Sequence, residues 1–310
     1  MNKLKLICCF LVLFNIGQAQ NYKERGDSLK ANGLLVPALM QYGQLMAEEP
    51  TPENAYEIAK TSALLWTSDL RDTAFYFLDY ALAENNSLTA LYEPEFLSLI
   101  DDPRWLVIED QELKKFIQTN GPIKNQAFAR ALFRMIIKDQ GFMYAGNIER
   151  GKYMKNGGYF SSPTIFPILA MEEKMKKENN ELLFQLIDQY GWPTASDVTE
   201  FAAAGAALII NHTDHETRVK YYPLLEKAFK AGEAQPLRYA KMSDRLLVEV
   251  GKEQLYGTQW KFQKGKKVPH PIKNPENVDQ RRAEIGLGPL QNYLKERFNI
   301  IWHVEQEKKE

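Results

Sequence analysis

Three acidic or imidazole side chains fall on helix faces that are otherwise apolar. At the angular spacing of an α-helix, Asp139, His212 and Asp244 each lie among apolar residues. A buried charge costs several kcal/mol unless it is paired or hydrogen-bonded. We therefore predict that these groups meet one another or an arginine, with Arg245, Arg281 and Arg282 as candidates. The faces are defined by Phe128, Leu132, Met135 and Ile136 for Asp139; by Val198, Phe201, Gly205 and Leu208 for His212; and by Leu237, Ala240 and Val248 for Asp244.

Such a group of residues suits acid–base chemistry or the binding of a polar ligand. In the catalytic interpretation His212 is the acid or base, Asp214 or Asp244 orients it, and Arg245 or Arg281 holds an anionic group. In the alternative interpretation the polar network only fixes how helices pack, and the chain is a non-catalytic scaffold or interaction module. The pattern favours a ligand pocket of undecided catalysis, because several helices each direct a polar residue inward. Its predicted ligand-binding residues are Asp139, Gln140, Trp192, Arg245, Gln254, Tyr256, Gln259, Arg281 and Arg282.

A metal site is a weaker interpretation of the same region. His212 and His215 are three residues apart, Asp214 and Glu216 lie beside them, and His270 is a third imidazole. The sequence nevertheless lacks His-Glu-x-x-His, a Gly-x-Ser-x-Gly elbow, a Walker loop and the Gly-x-Gly-x-x-Gly fingerprint. We predict neither a metal nor a cofactor, and the partner stays an unknown small molecule or protein.

The elements that must position these residues are mainly helical. Helical periodicity is strong at 126–144, 180–190, 197–212, 216–231, 236–250 and 289–298. A strand pattern occurs only from Gln259 to Ile272, with a hairpin turn expected at Lys264-Gly265-Lys266. The predicted class is mainly α, with degenerate tetratricopeptide-like helix pairs followed by an α-helical domain that has one small β-hairpin.

The N-terminal part shows signs of an internal repeat. Ala38, Tyr42 and Leu45 correspond to Ala74, Leu78 and Ala81 at an offset of 36 residues, close to the period of tetratricopeptide repeats. The polar, turn-forming run 118–122 marks the expected boundary. We predict a repeat segment at 21–120, which serves as a docking platform, and a second domain with a polar-centred core at 123–310.

The first 20 residues have the order of an export signal. Lys3 and Lys5 precede an apolar run at 6–16, and small or polar residues follow at 17–20. Cleavage would remove both cysteines, Cys8 and Cys9, and would leave a periplasmic or secreted chain without a thiol. The net charge would fall from −1 to about −3, which gives no electrostatic reason to expect nucleic acid. No later segment is long and apolar enough to predict a membrane span.

Several short motifs occur in a fixed order along the second domain. Together they resemble a bacterial domain family of unknown function, whose members share Asp-Gln, Gly-Trp-Pro-Thr, Gln-His-Ala-Asp, Asp-Arg and Tyr-Gly-Thr-Gln motifs. The resemblance implies site candidates and a helical repeat in front, but no reaction. Asn211 replaces the family's Gln, and no Arg follows closely after Gln140. The motifs are Asp139-Gln140, Gly191-Trp192-Pro193-Thr194, Asn211-His212-Thr213-Asp214, Asp244-Arg245-Leu246-Leu247, Tyr256-Gly257-Thr258-Gln259 and Val278-Asp279-Gln280-Arg281-Arg282.

Overall fold

The computed structural model describes residues 19–84, 87–157, 162–263 and 266–304. Their architecture is mainly α, with one antiparallel hairpin, as the periodicity predicts. The chain divides into two compact units, the first made of Met1–Pro122 and Phe133–Lys177 and the second of Ile123–Leu132 and Glu178–Glu310. All but the last two residues of the predicted export signal lie outside the described residues, as do 264 and 265 of the predicted hairpin turn.

The first unit begins with four successive helices. They are α1 through residues 19–31, α2 at Leu35–Glu48, α3 at Pro52–Leu64 and α4 at Ser68–Leu82. Thr51 caps α3 by accepting a hydrogen bond from the backbone N–H of Asn54. The six residues that suggest a repeat, on α2 and α4, are all buried, and α3 packs against both helices. Their descent from a tetratricopeptide repeat stays a prediction.

Short 3-10 turns and further helices complete the first unit. The 3-10 turns lie at Thr89–Tyr92 and Pro94–Phe96, followed by α5 at Pro103–Asn120, α6 at Gln126–Gln140 and α7 at Met143–Lys155. Of α6, only the residues from Phe133 onward belong to this unit. The single helix predicted at 126–144 is wrong, because α6 ends before Gly141. A Cβ at Gly141 would lie 2.6 Å from the Leu97 side chain and 2.8 Å from the Ile137 carbonyl oxygen, so only glycine fits this close approach.

The division differs from the boundary expected at 120–123. Residues 133–177 cluster with the first unit, whereas the sequence pattern placed them in the second domain. The side chain of Arg134 pairs with Glu109 of α5, and the Tyr144 hydroxyl donates to the Lys30 carbonyl oxygen over 2.6 Å. These contacts join residues that are far apart in sequence, and no local pattern reveals them.

The second unit takes in the end of α8 (Ile165–Tyr190) and four further helices before the hairpin. These are α9 at Ala195–Val198, α10 at Glu200–Asn211, α11 at His215–Lys230 and α12 at Pro236–Glu249. Helix α12 packs against α10 and α11. The alanine-rich α10 is almost wholly buried, as expected for a helix that lets its neighbours approach closely.

The hairpin and two short helices close the second unit. Strand β1 (Trp260–Gln263) pairs with β2 (Lys266–Pro269), with Trp260 opposite Pro269. A 3-10 turn at Pro275–Asn277 leads into α13 at Val278–Glu284, and α14 follows at Leu290–Phe298. An apolar cluster beneath this end includes Ile272, Val278, Leu290, Leu294, Ile300 and Trp302. Among the described helices, none combines the length and the apolar character that a membrane crossing needs.

Candidate functional site

Asp244 is the centre of the polar network in the second unit. Its side chain is 0% exposed, as the apolar face of α12 predicts. Oδ1 accepts hydrogen bonds from the backbone N–H groups of Leu255 and Tyr256 over 2.7 and 2.9 Å. Oδ2 accepts from the N–H and the hydroxyl of Thr258, both over 2.9 Å. Burial raises the pKa of Asp244, and these four hydrogen bonds oppose the rise. The carboxyl group therefore anchors the loop formed by residues 254–259, called here the anchored loop.

Two glutamines hold the anchored loop from within. Gln254 is fully buried, and its Nε2 donates to the carbonyl oxygens of Gln259 and His270 over 2.9 and 2.7 Å. Its Oε1 accepts from the Gln259 N–H over 2.8 Å. The Gln259 side chain donates in turn to the Lys241 carbonyl oxygen over 3.2 Å, which ties the loop to α12. Both amides complete the loop's backbone hydrogen bonding.

The predicted arginines of α13 serve the same loop. Arg282 is 2% exposed, and it donates to the carbonyl oxygens of Tyr256 and Gly288 over 2.6 and 2.7 Å. Its guanidinium group also lies over the Tyr293 ring, 4.9 Å from the ring centre. Arg281 donates to the carbonyl oxygens of Leu255, Lys273 and Asn274. These hydrogen bonds commit both guanidinium groups to backbone oxygens.

The structure thus brings six of the predicted residues together around the anchored loop. Tyr256 is buried and packs against Tyr239, with the ring centres 6.2 Å apart. Because most donors and acceptors of this group bind the loop's own backbone, the group holds a loop in place more than it offers a reactive site. The six residues are Asp244, Gln254, Tyr256, Gln259, Arg281 and Arg282.

His212 lies elsewhere in the second unit, contrary to its predicted position on a buried stripe. It is the C-cap of α10 and is exposed, and Phe201 of the same predicted stripe is 50% exposed. On α10 the alanine-rich face packs inward, which leaves Phe201 and His212 exposed and Leu208 half-buried. The buried Val198 belongs to α9, across the break at Thr199, where φ is 96°. Asp214 is the exposed N-cap of α11, and its hydrogen bonds with Thr217 lower its pKa.

Arg245 belongs to a second polar group around Glu249. It donates to the Asn211 carbonyl oxygen over 2.7 Å and pairs with Glu249 over 3.5 Å. Arg218 also pairs with Glu249, and His215 Nδ1 lies 2.9 Å from Glu249 Oε2. Burial would raise the pKa of Glu249, but His215 and the two arginines lower it. The Arg245 guanidinium group therefore already binds Glu249 and the carbonyl oxygen of Asn211 at the end of α10.

The other predicted residues do not join either group. Asp139 and Gln140 belong to the first unit, where Gln140 Nε2 donates to Asp139 Oδ2. Trp192, a predicted ligand-binding residue, is half-buried in the segment between α8 and α9. Within the described ranges, no cluster of three or more His, Cys, Asp or Glu residues is placed to hold a metal ion.

A cationic group was missed by the sequence pattern. Burial, followed by the charges of Arg238 and Arg297, lowers the pKa of Lys241 to about 8. Lys241 is half-buried on α12, and in the described part of the chain no carboxylate pairs with it. The Tyr293 hydroxyl of α14 is buried with no hydrogen-bond partner among the described residues. Arg238 and Arg297 also act on Tyr293, which puts it in the same neighbourhood.

The sequence shows only the part of this cationic group that lies on α12. Arg238, Lys241 and Arg245 recur at the spacing of one helix face, which by itself is typical of a solvated charged face. Arg297 and Tyr293 come from α14, more than fifty residues further along. Only the fold brings Arg297 close enough for its charge to act on Lys241. We call Arg238, Lys241 and Arg297 the cationic site.

Comparison with known proteins gives a match to one family model over part of the chain, and no activity. No curated protein and no solved structure matches the chain. The family match covers just under half of the chain; its range includes the motifs from Gly191 to Arg282 and begins after Asp139-Gln140. The sequence resemblance to a domain of unknown function is confirmed at this level. Residues 153–300 match the model of a family of unknown function, DUF6624.

Proposed function

We propose that this protein binds a small anionic ligand at the cationic site of its second unit. The observation that carries the proposal is the setting of Lys241: its ammonium group is half-buried, no carboxylate of the described residues pairs with that group, and the charges of Arg238 and Arg297 act on it. Like charges held together in a partly desolvated place repel one another. An anion relieves that repulsion and gains charge-assisted hydrogen bonds from each group.

The surroundings of Lys241 support a preformed site. The anchored loop is fixed to α12 by the four hydrogen bonds to Asp244 and by the bond from Gln259 to the Lys241 carbonyl oxygen. A binding group held by such contacts loses little freedom when a ligand arrives. Asp244, Arg281 and Arg282 therefore hold the loop in place, Lys241 contacts the ligand, and Arg238 and Arg297 add positive charge.

The geometry gives no support to acid–base catalysis by the predicted residues. His212 and Asp214 are exposed at helix ends, and Asp244 is sealed by backbone donors. A general acid or base must come within hydrogen-bond reach of a reacting group, which a sealed carboxyl group does not. The proposal keeps the polar pocket that the sequence suggested and assigns it to different residues.

Lys241→Met is expected to weaken anion binding by roughly tenfold to a hundredfold, because a hydrogen bond to a charged group contributes about 1.5–3 kcal/mol. The measurement is isothermal titration calorimetry of the full chain with inorganic phosphate and with lactate, at fixed ionic strength. Lys227→Met is the matched control, since Lys227 is exposed on α11. Equal affinities in Lys241→Met and Lys227→Met would contradict the proposal.

We also propose that the chain is exported and cleaved after Gln20. The basic start and the apolar run at 6–16 support this. Ala19 is 2% exposed in an apolar cluster with Ala38, Tyr42, Leu45 and Ile58. Cleavage would remove Ala19 and leave Tyr22 and Leu29 of α1 against the same cluster.

Export is tested by expressing the full chain in a bacterial host and separating the cell fractions. We expect the chain outside the cytoplasm, with Asn21 as its first residue by mass spectrometry. Lys3→Glu/Lys5→Glu, which removes the basic start, should retain the uncleaved chain inside the cell. An intact N-terminus on cytoplasmic wild-type protein would overturn the export proposal and leave the anion site untouched.

A further inference from the structure

The first unit contains a cavity of about 310 Å³, a size that suits a small-molecule ligand. Its wall includes Trp66 from the turn between α3 and α4, Phe142 just before α7, and Tyr144 and Glu149 of α7. Among the described residues that line it, Glu149 alone carries a charge, and most of the others are apolar. We propose that this cavity binds an apolar molecule that carries one ammonium group, such as an arylalkylamine.

The carboxylate of Glu149 is only half satisfied. Its side chain is 10% exposed, and Oε1 accepts a hydrogen bond from Lys152 Nζ over 2.8 Å. Oε2 is buried and has no hydrogen-bond partner within the described ranges. A buried anionic oxygen without a donor costs free energy. The ammonium group of a ligand supplies both the missing donor and a compensating charge.

Glu149 is ionised at neutral pH. The hydrogen bond from Lys152 is the main cause that holds the pKa of Glu149 below its usual value. Ser162 and Thr164 act in the same direction, although their hydroxyl groups bind each other over 2.7 Å. An alkylamine is protonated at the same pH, as an exposed lysine is. The ligand and the wall of the cavity therefore carry opposite charges.

Aromatic rings form another part of the wall, and Trp66 is held there in a strained conformation. Its φ is 55°, a left-handed backbone conformation that glycine adopts freely and a bulky residue rarely does. The Trp66 side chain is also 53% exposed, so about half of it makes no packing contact that could offset the strain. Strained residues of this kind cluster at binding sites. The faces of aromatic rings attract an ammonium group, and Phe142 and Tyr144 are the other aromatic residues of the wall.

The wall of the cavity is fixed before a ligand arrives. Gly33, at φ 79°, lines the cavity, and a Cβ there would approach Ile148 Cγ2 to 3.3 Å. Glycine thus lets the turn after α1 lie against α7. The Tyr144 hydroxyl donates to the Lys30 carbonyl oxygen over 2.6 Å, which ties α7 to the end of α1. A preformed wall loses little conformational freedom on binding.

The test is isothermal titration calorimetry of the full chain at pH 7 with 2-phenylethylamine and with 2-phenylethanol. The two probes share an apolar body, and only the first carries an ammonium group. We expect the amine to bind at least about tenfold more tightly, because charge-assisted hydrogen bonds are roughly twice as strong as neutral ones. Glu149→Gln should remove this preference, whereas Glu53→Gln, at an exposed position of α3, should keep it.

Two further variants have effects that a purely structural role does not produce. Lys152 competes with the ligand for the same carboxylate, so Lys152→Met should raise the affinity for the amine several-fold and leave that for the alcohol unchanged. Trp66→Gly relieves the strained conformation, so its melting temperature should stay the same or rise while both probes bind more weakly.

Any of three results would overturn the inference. If wild-type protein binds neither probe, the cavity holds no ligand of this class. If it binds both probes equally, or if Glu149→Gln keeps the preference for the amine, the carboxylate does not recognise the charge. If Trp66→Gly leaves both affinities unchanged, the probes bind elsewhere on the chain. None of these results bears on the anion site of the second unit, which phosphate and lactate test.

Discussion

Asp244→Ala is expected to lower the free energy of unfolding of the second unit by roughly 3–5 kcal/mol. The substitution leaves the N–H groups of Leu255, Tyr256 and Thr258 without their acceptor in a buried place. Each unsatisfied buried donor costs about 1–3 kcal/mol, less whatever the loop regains by moving toward water. The measurement is urea unfolding of the full chain, with hydrogen exchange of the anchored loop read in parallel.

Asp244→Asn is the matched control for this prediction. Its amide oxygen can still accept from the N–H groups of Leu255 and Tyr256, whereas its NH2 group faces the Thr258 N–H. We expect a smaller loss, about 1–2 kcal/mol, confined to the Thr258 end of the loop. A loss below about 1 kcal/mol in Asp244→Ala would show that the carboxyl group is not the anchor, and would return it to the candidates for chemistry.

The burial of Asp244 could be predicted from the sequence, but its partners could not. Helical periodicity locates the residue on the inner face of α12 because the helix runs without interruption from Pro236 to Glu249. Its partners are mostly backbone N–H groups of the anchored loop, which every sequence contains and no pattern marks. Because these N–H groups leave no mark in the sequence, we expected side chains as the partners of Asp244. In the structure its partners are the anchored loop instead.

His212 shows where the same method fails. A stripe counted from Val198 through Phe201 to His212 assumes one continuous helix, but Thr199 has a positive φ and separates α9 from α10. The burial of Val198 on α9 therefore does not predict the burial of Phe201 or His212, which lie on the exposed side of α10. Thr199 also caps α10, since its hydroxyl oxygen accepts from the Ala202 N–H over 3.3 Å. Threonine is a common N-cap residue, so Thr199 was the sequence feature that could have predicted the start of a new helix here.

The cationic site lies beyond local patterns for a different reason. Arg238 and Lys241 look like an ordinary charged face until Arg297 of α14 is placed beside them. The absence of a carboxylate partner for Lys241 within the described ranges is a property of the fold.

The division of the chain into two units also depends on contacts between residues that are far apart in sequence. Residues 133–177 join the first unit through contacts such as Arg134 with Glu109, whose energetic weight can be measured.

Arg134→Met is expected to destabilise the first unit by roughly 3–5 kcal/mol. Glu109 is 1% exposed, and Arg134 donates to its two carboxylate oxygens over 2.6 and 2.9 Å. Trp105 Nε1 donates to the same carboxylate over 3.1 Å and remains after the substitution. The substitution removes a charged donor that binds both oxygens of a buried carboxylate, and this loss sets the cost. Thermal and urea unfolding of the full chain measure it.

The double variant Glu109→Leu/Arg134→Met separates the charge from the packing. The double variant removes the buried carboxylate together with its arginine partner, so we expect it to recover most of the stability lost in Arg134→Met. Hydrogen exchange should show faster opening of α5 in the single variant and unchanged protection of α12 in the second unit. No recovery in the double variant would mean that the Arg134 side chain stabilises by its apolar contacts. Equal loosening of α12 would mean that the two units unfold together.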